Sequence, residues 1–327
     1  MRVRNLGRAG PKLSVVGVGA WAMGGPWRFG WGPQDDDESI AALHRAFDAG
    51  VNWVDTAAVY GFGHSEEVVG QVLRELGSEV LVATKCGQNW YNSPGGRIQS
   101  DLRPESIRFE LEQSLKRLGA DHVDLYQFHL PDRSTGTPVE DSWGTMAELV
   151  DEGKVRWAGV SNFGVDLLER CEAVRHVDSV QPPFSLIERS AAADVLPWSA
   201  EHGTGVICYS PMQAGLLTGT FDAERVRNLP EDDWRRRSAH FTEPRLSANL
   251  ALADRLRPVA ARHGVSVAAV AVAWVNAQPG VTAAIVGARR PSQVDGWLPA
   301  GLLTLTDRDL EEIRAAVRET GAGPGPV

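Results

Sequence analysis

The chain has 327 residues and a net charge of −9, and no long run of lysines and arginines gives it a strongly positive surface. Nucleic acids and anionic membranes attract positive proteins, so neither is expected as a partner. No stretch approaches the ~20 apolar residues that a membrane-spanning helix needs, and no export signal is recognisable, so we expect a soluble, cytoplasmic protein.

Residues 2–13 are charged and punctuated by glycine, which predicts a small hairpin or cap before the main fold. Strands and helices then alternate. The predicted strands cover 15–19, 51–55, 80–85, 123–129, 155–160, a strand that ends at Gln181, 205–211 and 282–287. The predicted helices cover 35–48, a helix that Ser65 opens as its N-cap, 104–118, 139–152, 165–174, 196–202, 246–263, 266–276 and 307–319.

Two long loops interrupt the alternation. One covers 88–102 and contains Pro94-Gly95-Gly96. The other, 221–244, is charged and rich in Trp and Arg, which favours a mobile insertion over one face. Within it the arginines at 235–237 follow the acidic residues at 231–233, which indicates a solvated loop of mixed charge.

The strands read as near-continuous apolar runs, which is typical of parallel strands buried on both faces. A right-handed series of roughly eight strand–helix units closes most economically as a (β/α)8 TIM barrel. We therefore predict a single α/β domain over 1–327, with an N-terminal hairpin cap, long rim loops and a disordered tail at 321–327. Polar residues follow many of the predicted strands at their carboxyl ends, as in a barrel. A doubly wound sheet, which is the alternative fold, would place such residues at fewer strand ends.

Neither a metal site nor a disulfide is expected. Cys86, Cys171 and Cys208 are far apart and lack C-x-x-C spacing, which predicts buried reduced thiols. The eight histidines include no H-x-x-x-H pair.

Four side chains with complementary chemistry follow predicted strands at one end of the barrel. Asp55 ends the strand 51–55, and Tyr60 follows it five residues later. Lys85 and His129 end the strands 80–85 and 123–129. Because the carboxyl ends of parallel strands meet on one rim, we expect the four side chains to lie together.

A phenol with an ordinary pKa near 10 is a weak proton donor at neutral pH. A nearby ammonium lowers that pKa, and a fall of about 2 to 3 units corresponds to roughly 3 to 4 kcal/mol. We therefore expect Lys85 to lower the pKa of Tyr60, Asp55 to keep Lys85 charged, and His129 to donate a hydrogen bond beside the phenol. Such a group can protonate the alkoxide that forms when hydride reduces a carbonyl.

Taken singly, Asp55 would more readily cap a helix, and His129 would be a partly buried histidine with satisfied hydrogen bonds. Together, the four positions resemble the catalytic tetrad of the aldo-keto reductases, in the motifs Asp55-Thr56-Ala57, Tyr60-Gly61, Ser65-Glu66, Thr84-Lys85 and Gln127-Phe128-His129. The resemblance covers the chain from Gly17 to about Leu298. It implies a (β/α)8 barrel, NADPH/NADP+ as coenzyme and Tyr60 as the general acid.

The same resemblance implies where the coenzyme binds. Ser161, Asn162 and Gln181 match positions that hold the nicotinamide carboxamide, Tyr209 matches an aromatic that stacks on the nicotinamide, and Arg289 matches the site of the 2′-phosphate. A guanidinium fork suits a phosphate monoester and favours NADP over NAD. The implied coenzyme residues are Trp21, Ser161, Asn162, Gln181, Tyr209, Ser210, Pro211, Met212, Gly215, Leu216, Gly219, Gly287, Ala288, Arg289, Gln293 and Trp297.

One position departs from the family pattern. Many relatives carry a Glu-Asn pair that contacts adenine where this chain has Gly296 and Trp297. Trp297 either stacks on adenine or packs between helices.

The resemblance implies NADPH-dependent reduction of an aldehyde or ketone, with a small-molecule carbonyl as substrate. The tryptophan-rich segment 21–33 resembles a bacterial branch that includes sugar-aldehyde and deoxysugar nucleotide reductases, so a sugar or nucleotide-sugar carbonyl is the leading substrate. Trp21, Trp27, Trp31 and Trp90 lie in rim loops, where they either form a substrate wall or pack in the core. The direction of the reaction and the oligomeric state, including a homo-oligomer, stay open.

Other functions are weaker. Residues 17–22 satisfy the dinucleotide motif G-x-G-x-x-A, but Gly24-Gly25-Pro26 follows where that motif needs a helix. A hydrolase elbow at Gly159 lacks its closing glycine, because residue 163 is Phe163. A more serious alternative is an NADPH-bound regulatory subunit with little turnover, as in the potassium channel β-subunits.

Overall fold

A computed structural model describes residues 1–27, 29–91 and 96–327, without the side chain of Ser78. The predicted turn at Pro94-Gly95-Gly96 lies largely outside the described residues, as does Arg28 of the tryptophan-rich segment.

The described strands include every strand that the sequence predicts. They are β1 (Val3–Asn5), β2 (Lys12–Ser14), β3 (Val16–Gly19), β4 (Trp53–Asp55), β5 (Leu81–Cys86), β6 (Gln88–Asn89), β7 (Gln99–Ser100), β8 (Val123–Phe128), β9 (Val155–Ser161), β10 (Ser179–Gln181), β11 (Gly205–Cys208) and β12 (Val281–Gly287).

The α-helices alternate with the barrel strands. They are α1 (Asp36–Asp48), α2 (His64–Leu76), α3 (Pro104–Leu118), α4 (Val139–Asp151), α5 (Val165–Glu172), α6 (Val195–His202), α7 (Ala223–Arg227), α8 (Arg245–Arg255), α9 (Arg257–His263), α10 (Val267–Ala277), α11 (Pro291–Trp297) and α12 (Asp307–Thr320).

Parallel strands close a barrel in the order β3-β4-β5-β8-β9-β10-β11-β12, and β12 pairs with β3. This confirms the predicted (β/α)8 barrel. The hairpin of β1 and β2 covers one end, where Leu6 and Leu13 join a cluster with Trp53 and other interior side chains of the barrel. A second, larger core lies between the strands and the helices. The capped end is the amino end of the strands, so the polar strand ends lie at the other mouth.

Several local predictions were wrong. Gly63, not Ser65, is the N-cap of α2. The Ser65 hydroxyl instead donates to the carbonyl of Ala20 at 2.9 Å, which ties the helix to the loop after β3. The predicted helix 246–263 is two helices that meet at Leu256. The three cysteines are buried and unpaired, as expected.

The two segments expected to lack order have defined contacts. The insertion 221–244 contains α7 and two short 3-10 helices. The tail 321–327 lies against the barrel, where the buried Arg189 holds it. The Arg189 guanidinium donates to the carbonyl oxygens of Ala322, Gly323, Gly325 and Pro326 at 3.0 to 3.3 Å.

Within the described ranges, no single helix is long and apolar enough to cross a membrane. One helix pair, Arg245–His263 with Val267–Ala277, reaches that length and composition, but its halves are bent by 91°.

Candidate active site

A buried lysine lies at the centre of the open mouth of the barrel. Lys85, in β5, is 1% exposed. Its ammonium donates to Asp55 Oδ1 at 2.5 Å, to the carbonyl of Thr56 at 2.9 Å and to the Tyr60 hydroxyl at 3.3 Å. Three of the four side chains that the sequence predicts to act together, Asp55, Tyr60 and Lys85, therefore form one hydrogen-bonded group.

Tyr60 reaches Lys85 because the chain turns sharply after β4. Gly61 has a φ of 62°, and a Cβ there would lie 2.0 Å from the carbonyl oxygen of Gly24. Only glycine fits this close approach between two rim loops. The contact brings the segment that begins at Trp21 over the Tyr60 side chain.

The second oxygen of Asp55 is also held. Asp55 Oδ2 accepts hydrogen bonds from Gln181 Nε2 at 2.8 Å and from Gln127 Nε2 at 3.4 Å. Side chains from β5, β8 and β10 thus converge on one carboxylate and fix its orientation. Gln181, which the resemblance assigns to the nicotinamide carboxamide, has Asp55 as its partner here.

The electrostatics of Tyr60 differ from the expectation. Burial raises the pKa of Tyr60 above its ordinary value of 10.0, and this effect exceeds the opposing effect of Lys85. The predicted net fall was wrong because the phenol is only 8% exposed, and burial disfavours the phenolate. Burial alone would lower the pKa of Lys85, but Asp55 and Tyr60 raise it, and the net pKa lies above its ordinary value. At neutral pH the lysine is charged and the phenol keeps its proton.

His129 follows β8 and faces Tyr60. The two ring centroids are 5.6 Å apart, at an interplanar angle of 84°. Burial, followed by repulsion from Lys85, lowers the pKa of His129 to about 3, so its imidazole is neutral at neutral pH. The Nδ1 atom of His129 is buried and has no hydrogen-bond partner in the part of the chain that the structure describes. A neutral imidazole can donate one hydrogen bond to an oxygen beside Tyr60.

The residues expected beside the nicotinamide form a connected group next to His129. Ser161 Oγ donates to the carbonyl of Gln181 at 2.9 Å. Asn162, in the left-handed region with a φ of 62°, donates from Nδ2 to the carbonyl of His129 at 3.0 Å. Tyr209 donates its hydroxyl to Asn162 Oδ1 at 2.8 Å. The structure therefore brings these residues together, whereas their role as coenzyme ligands stays a prediction.

The loop after β11 contains the next group of predicted ligands. Positive φ angles at Ser210, Gln213, Ala214 and Gly215 curl this loop tightly. The N–H groups of Gln213 and Gly215 donate to carbonyls within the loop, so its contact with the coenzyme stays a prediction. The other predicted ligands in this loop have mixed exposure: Leu216 and Pro211 are buried, and Met212 and Gly219 are partly buried. Leu216 belongs to the main core, so its side chain has a packing role.

Arg289 follows β12, just after Gly287 and the buried Ala288. Its backbone N–H donates to Gln293 Oε1 at 2.7 Å. Its guanidinium donates to Gln34 Oε1 and to the carbonyl of Pro33, both at 2.5 Å. None of these partners carries a negative charge.

Arg235 is a second candidate for contacting the coenzyme phosphate, and the sequence did not point to it. Its guanidinium lies 4.9 Å from the centroid of the Trp31 ring and donates to the carbonyl of Ala214 at 3.5 Å. It also pairs with Asp233 at 2.6 Å, and both side chains are largely buried. The predicted solvated loop is therefore wrong at this position. Burial, then Arg290 and Arg235, lower the pKa of Arg289, so these three cations repel one another.

The Trp297 side chain does not face solvent. It is 1% exposed and packs in the main core at the end of α11. Of the two alternatives, packing between helices is correct, and adenine stacking is excluded for this position.

Aromatic side chains wall the mouth beside Tyr60. Trp27 lies 5.9 Å from Tyr60, and Trp21 lies 4.9 Å from Trp31 and 6.3 Å from Trp234, measured between ring centroids. Trp90 packs against the same cluster as Tyr60. These side chains come from three rim loops and form an aromatic enclosure, and their role as a substrate wall stays a prediction.

The family model described as the aldo/keto reductase family matches residues 15–318. The chain belongs to this family. It is 36% identical over 330 residues to the aldo-keto reductase YhdN of Bacillus subtilis (strain 168), a match that covers 100% of this chain and 97% of the relative. It is 33% identical over 320 residues to the NADH-specific methylglyoxal reductase of Escherichia coli (strain K12), covering 94% of this chain and 96% of that protein.

A solved structure agrees with the family assignment. The glycerol dehydrogenase AKR11B4 from Gluconobacter oxydans has a TM-score of 0.88 and 38% sequence identity, over 99% of this chain and 97% of that one. The chain is therefore a carbonyl-reducing oxidoreductase of the aldo/keto reductase family, which uses nicotinamide coenzymes. Nothing in these comparisons favours the channel-subunit alternative.

The neutral state of His129 can be measured. Its imidazole signals in the NMR spectrum, identified by their absence in His129→Gln, should keep the shifts of the neutral form from about pH 8 down to about pH 5, because burial and Lys85 disfavour the charged form. A titration midpoint near the ordinary histidine value would contradict the assigned environment.

Proposed function

We propose that the chain is an NADPH-dependent reductase of small aldehydes or ketones, with Tyr60 as the proton donor. The observation that carries this proposal is the contact of the Tyr60 hydroxyl with the buried Lys85 ammonium at 3.3 Å. A phenol that keeps its proton, next to a fixed cation, is equipped to protonate an alkoxide and to be stabilised afterwards as phenolate.

The residues around the phenol have separate parts in this proposal. The bound coenzyme would supply hydride to the carbonyl carbon. Asp55 keeps Lys85 charged and oriented, and Lys85 lowers the cost of removing the proton from Tyr60. His129 donates to the substrate oxygen and thereby orients it toward the phenol. The aromatic enclosure excludes water, which strengthens these electrostatic effects.

Two arginines at the predicted coenzyme site support a nucleotide with an additional phosphate. Arg289 and Arg235 are partly buried cations, and the present partners of Arg289 are a neutral amide and backbone carbonyls. A phosphate group would relieve their mutual repulsion and offer each a charge-assisted hydrogen bond. Since one relative is named as NADH-specific, the preference for NADPH rests on these arginines and not on membership of the family.

The substrate we propose is an oxygenated carbonyl compound, of which a sugar or nucleotide-sugar carbonyl is the leading class. The Trp27 indole N–H is buried beside Tyr60 and has no hydrogen-bond partner among the described residues. A buried donor without a partner is costly, and a substrate hydroxyl or carbonyl oxygen would satisfy it. Relatives named as a methylglyoxal reductase and a glycerol dehydrogenase also act on small oxygenated compounds.

Tyr60→Phe tests the proton donor. On a panel of aldehydes and keto-sugars, this variant should lose about 10³-fold in kcat, since a positioned general acid contributes rate acceleration of that order. Binding of NADPH, followed by fluorescence titration, should be retained. Tyr126→Phe is the matched control, because Tyr126 is buried and donates to the carbonyl of Ile107, outside the site. Turnover of Tyr60→Phe within ten-fold of the wild type would refute the role of the phenol, and a wild type without turnover would favour a sensor.

Arg289→Ala tests the coenzyme preference. The dissociation constant for NADPH should rise about ten- to hundred-fold, as expected for the loss of a charge-assisted contact, while that for NADH changes little. Isothermal titration with both coenzymes measures the difference. Gln34→Ala is the control, because it frees the guanidinium without removing its charge. Equal losses for NADPH and NADH in Arg289→Ala would rule out a phosphate contact.

A further inference from the structure

An arginine outside the tetrad connects two rim loops of the proposed substrate site, the turn that contains Tyr60 and Gly63 and the loop that contains Trp90 and Tyr91. Arg117, near the end of α3, has a side chain that is only 13% exposed. It lies under the turn that carries Tyr60, where Gly63 leaves it room. A Cβ at Gly63 would lie 2.6 Å from Arg117 Cδ, and Gly63 has a φ of 101°. Any other residue at this position would collide with the arginine.

On one side, Arg117 is fixed to the strand of Lys85. Two nitrogens of its guanidinium contact the same oxygen, Glu66 Oε2: Nε at 2.7 Å and Nη2 at 2.6 Å. Glu66 is fully buried, and its other oxygen accepts the hydroxyl of Thr84 at 2.5 Å. Thr84 directly precedes Lys85 in β5. The arginine is therefore held in one orientation relative to the tetrad.

On the other side, Arg117 holds the part of the aromatic enclosure that contains Trp90. Its remaining terminal nitrogen donates to the Tyr91 hydroxyl at 2.6 Å. The Tyr91 ring stacks on Trp90, with centroids 4.3 Å apart and an interplanar angle of 23°. Trp90 lies 5.7 Å from Phe62 and packs against the cluster that contains Tyr60.

We propose that Arg117 is a positioning residue for substrate selection: through Tyr91 it fixes Trp90 as the wall that receives the part of the substrate remote from the carbonyl. This inference rests on the proposed reductase function. Trp90 sits in a loop whose packing includes the exposed Phe62, so the stack on Tyr91 and the charged hydrogen bond behind it hold the ring in place. Short substrates that end near Tyr60 do not reach this wall, whereas longer ones do.

The test compares propanal with octanal as substrates of NADPH-dependent reduction. Tyr91→Phe keeps the ring and its stack but removes the hydroxyl that Arg117 holds. We expect KM for octanal to rise about ten-fold while KM for propanal and both kcat values stay within about two-fold, because only the wall loses its support. NADPH affinity should not change.

Arg108→Gln is the matched control on the same helix. Arg108 forms two ion pairs with Glu148 and Glu152 on the outer surface, so its variant should leave both KM values unchanged. Arg117→Gln alone would leave Glu66 buried without its cation and risks misfolding. The double variant Glu66→Gln/Arg117→Gln removes both charges and should reproduce the selective loss for octanal.

The possible results distinguish a failure of the positioning role of Arg117 from a failure of the proposed reductase function. Equal changes in KM for propanal and octanal, or no change in Tyr91→Phe, would overturn the positioning role while leaving the reductase intact. Absence of turnover by the wild type with every carbonyl would overturn the proposed function itself, before any variant is compared.

Discussion

The site depends on an ammonium buried between a carboxylate and a phenol. Lys85 has almost no contact with solvent, and its charge persists because Asp55 lies 2.5 Å away. Removing one partner of a buried ion pair costs about 3–5 kcal/mol, which is much more than the worth of a surface pair. The barrel provides this arrangement by bringing the ends of neighbouring parallel strands together, with glutamines from two further strands orienting the carboxylate.

Burial and charge act on the phenol in opposite directions, and both suit a proton donor. Burial raises the pKa of Tyr60, so the side chain keeps its proton until a stronger base forms beside it. Lys85 favours the phenolate that remains after the transfer. A neutral His129 completes the arrangement, because it adds a hydrogen bond without adding a second positive charge near Lys85.

The sequence was sufficient for the barrel and for the proximity of Asp55, Tyr60, Lys85 and His129, since apolar strands that end in polar residues specify both the fold and the rim on which those residues lie. It was insufficient wherever the property of a residue depends on how deeply its side chain is buried in the folded protein. The net direction of the pKa shift of Tyr60 follows from burial, which no local pattern reveals. Trp297 was consistent with a ligand or a core residue, and only the packing of α11 decides between them.

Long-range contacts of charged residues were missed for the same reason. Arg235 stands in a run of arginines and acidic residues that reads as solvated, yet it folds back onto Trp31. Arg117 lies in an ordinary helix end, and nothing in its neighbours in sequence predicts that it passes beneath Gly63 to reach Tyr91. Ser65 has the residue type of an N-cap, but the positive φ of Gly63 shifts the start of the helix.

The most direct measurement is the single-turnover rate of hydride transfer in Lys85→Met, followed by the loss of NADPH fluorescence after mixing with an aldehyde. We predict a rate at least about a hundred-fold below that of the wild type, with a folded barrel by circular dichroism and near-normal coenzyme binding. A rate close to that of the wild type would show that the phenol needs no neighbouring cation, and the proposed chemistry of the site would be contradicted.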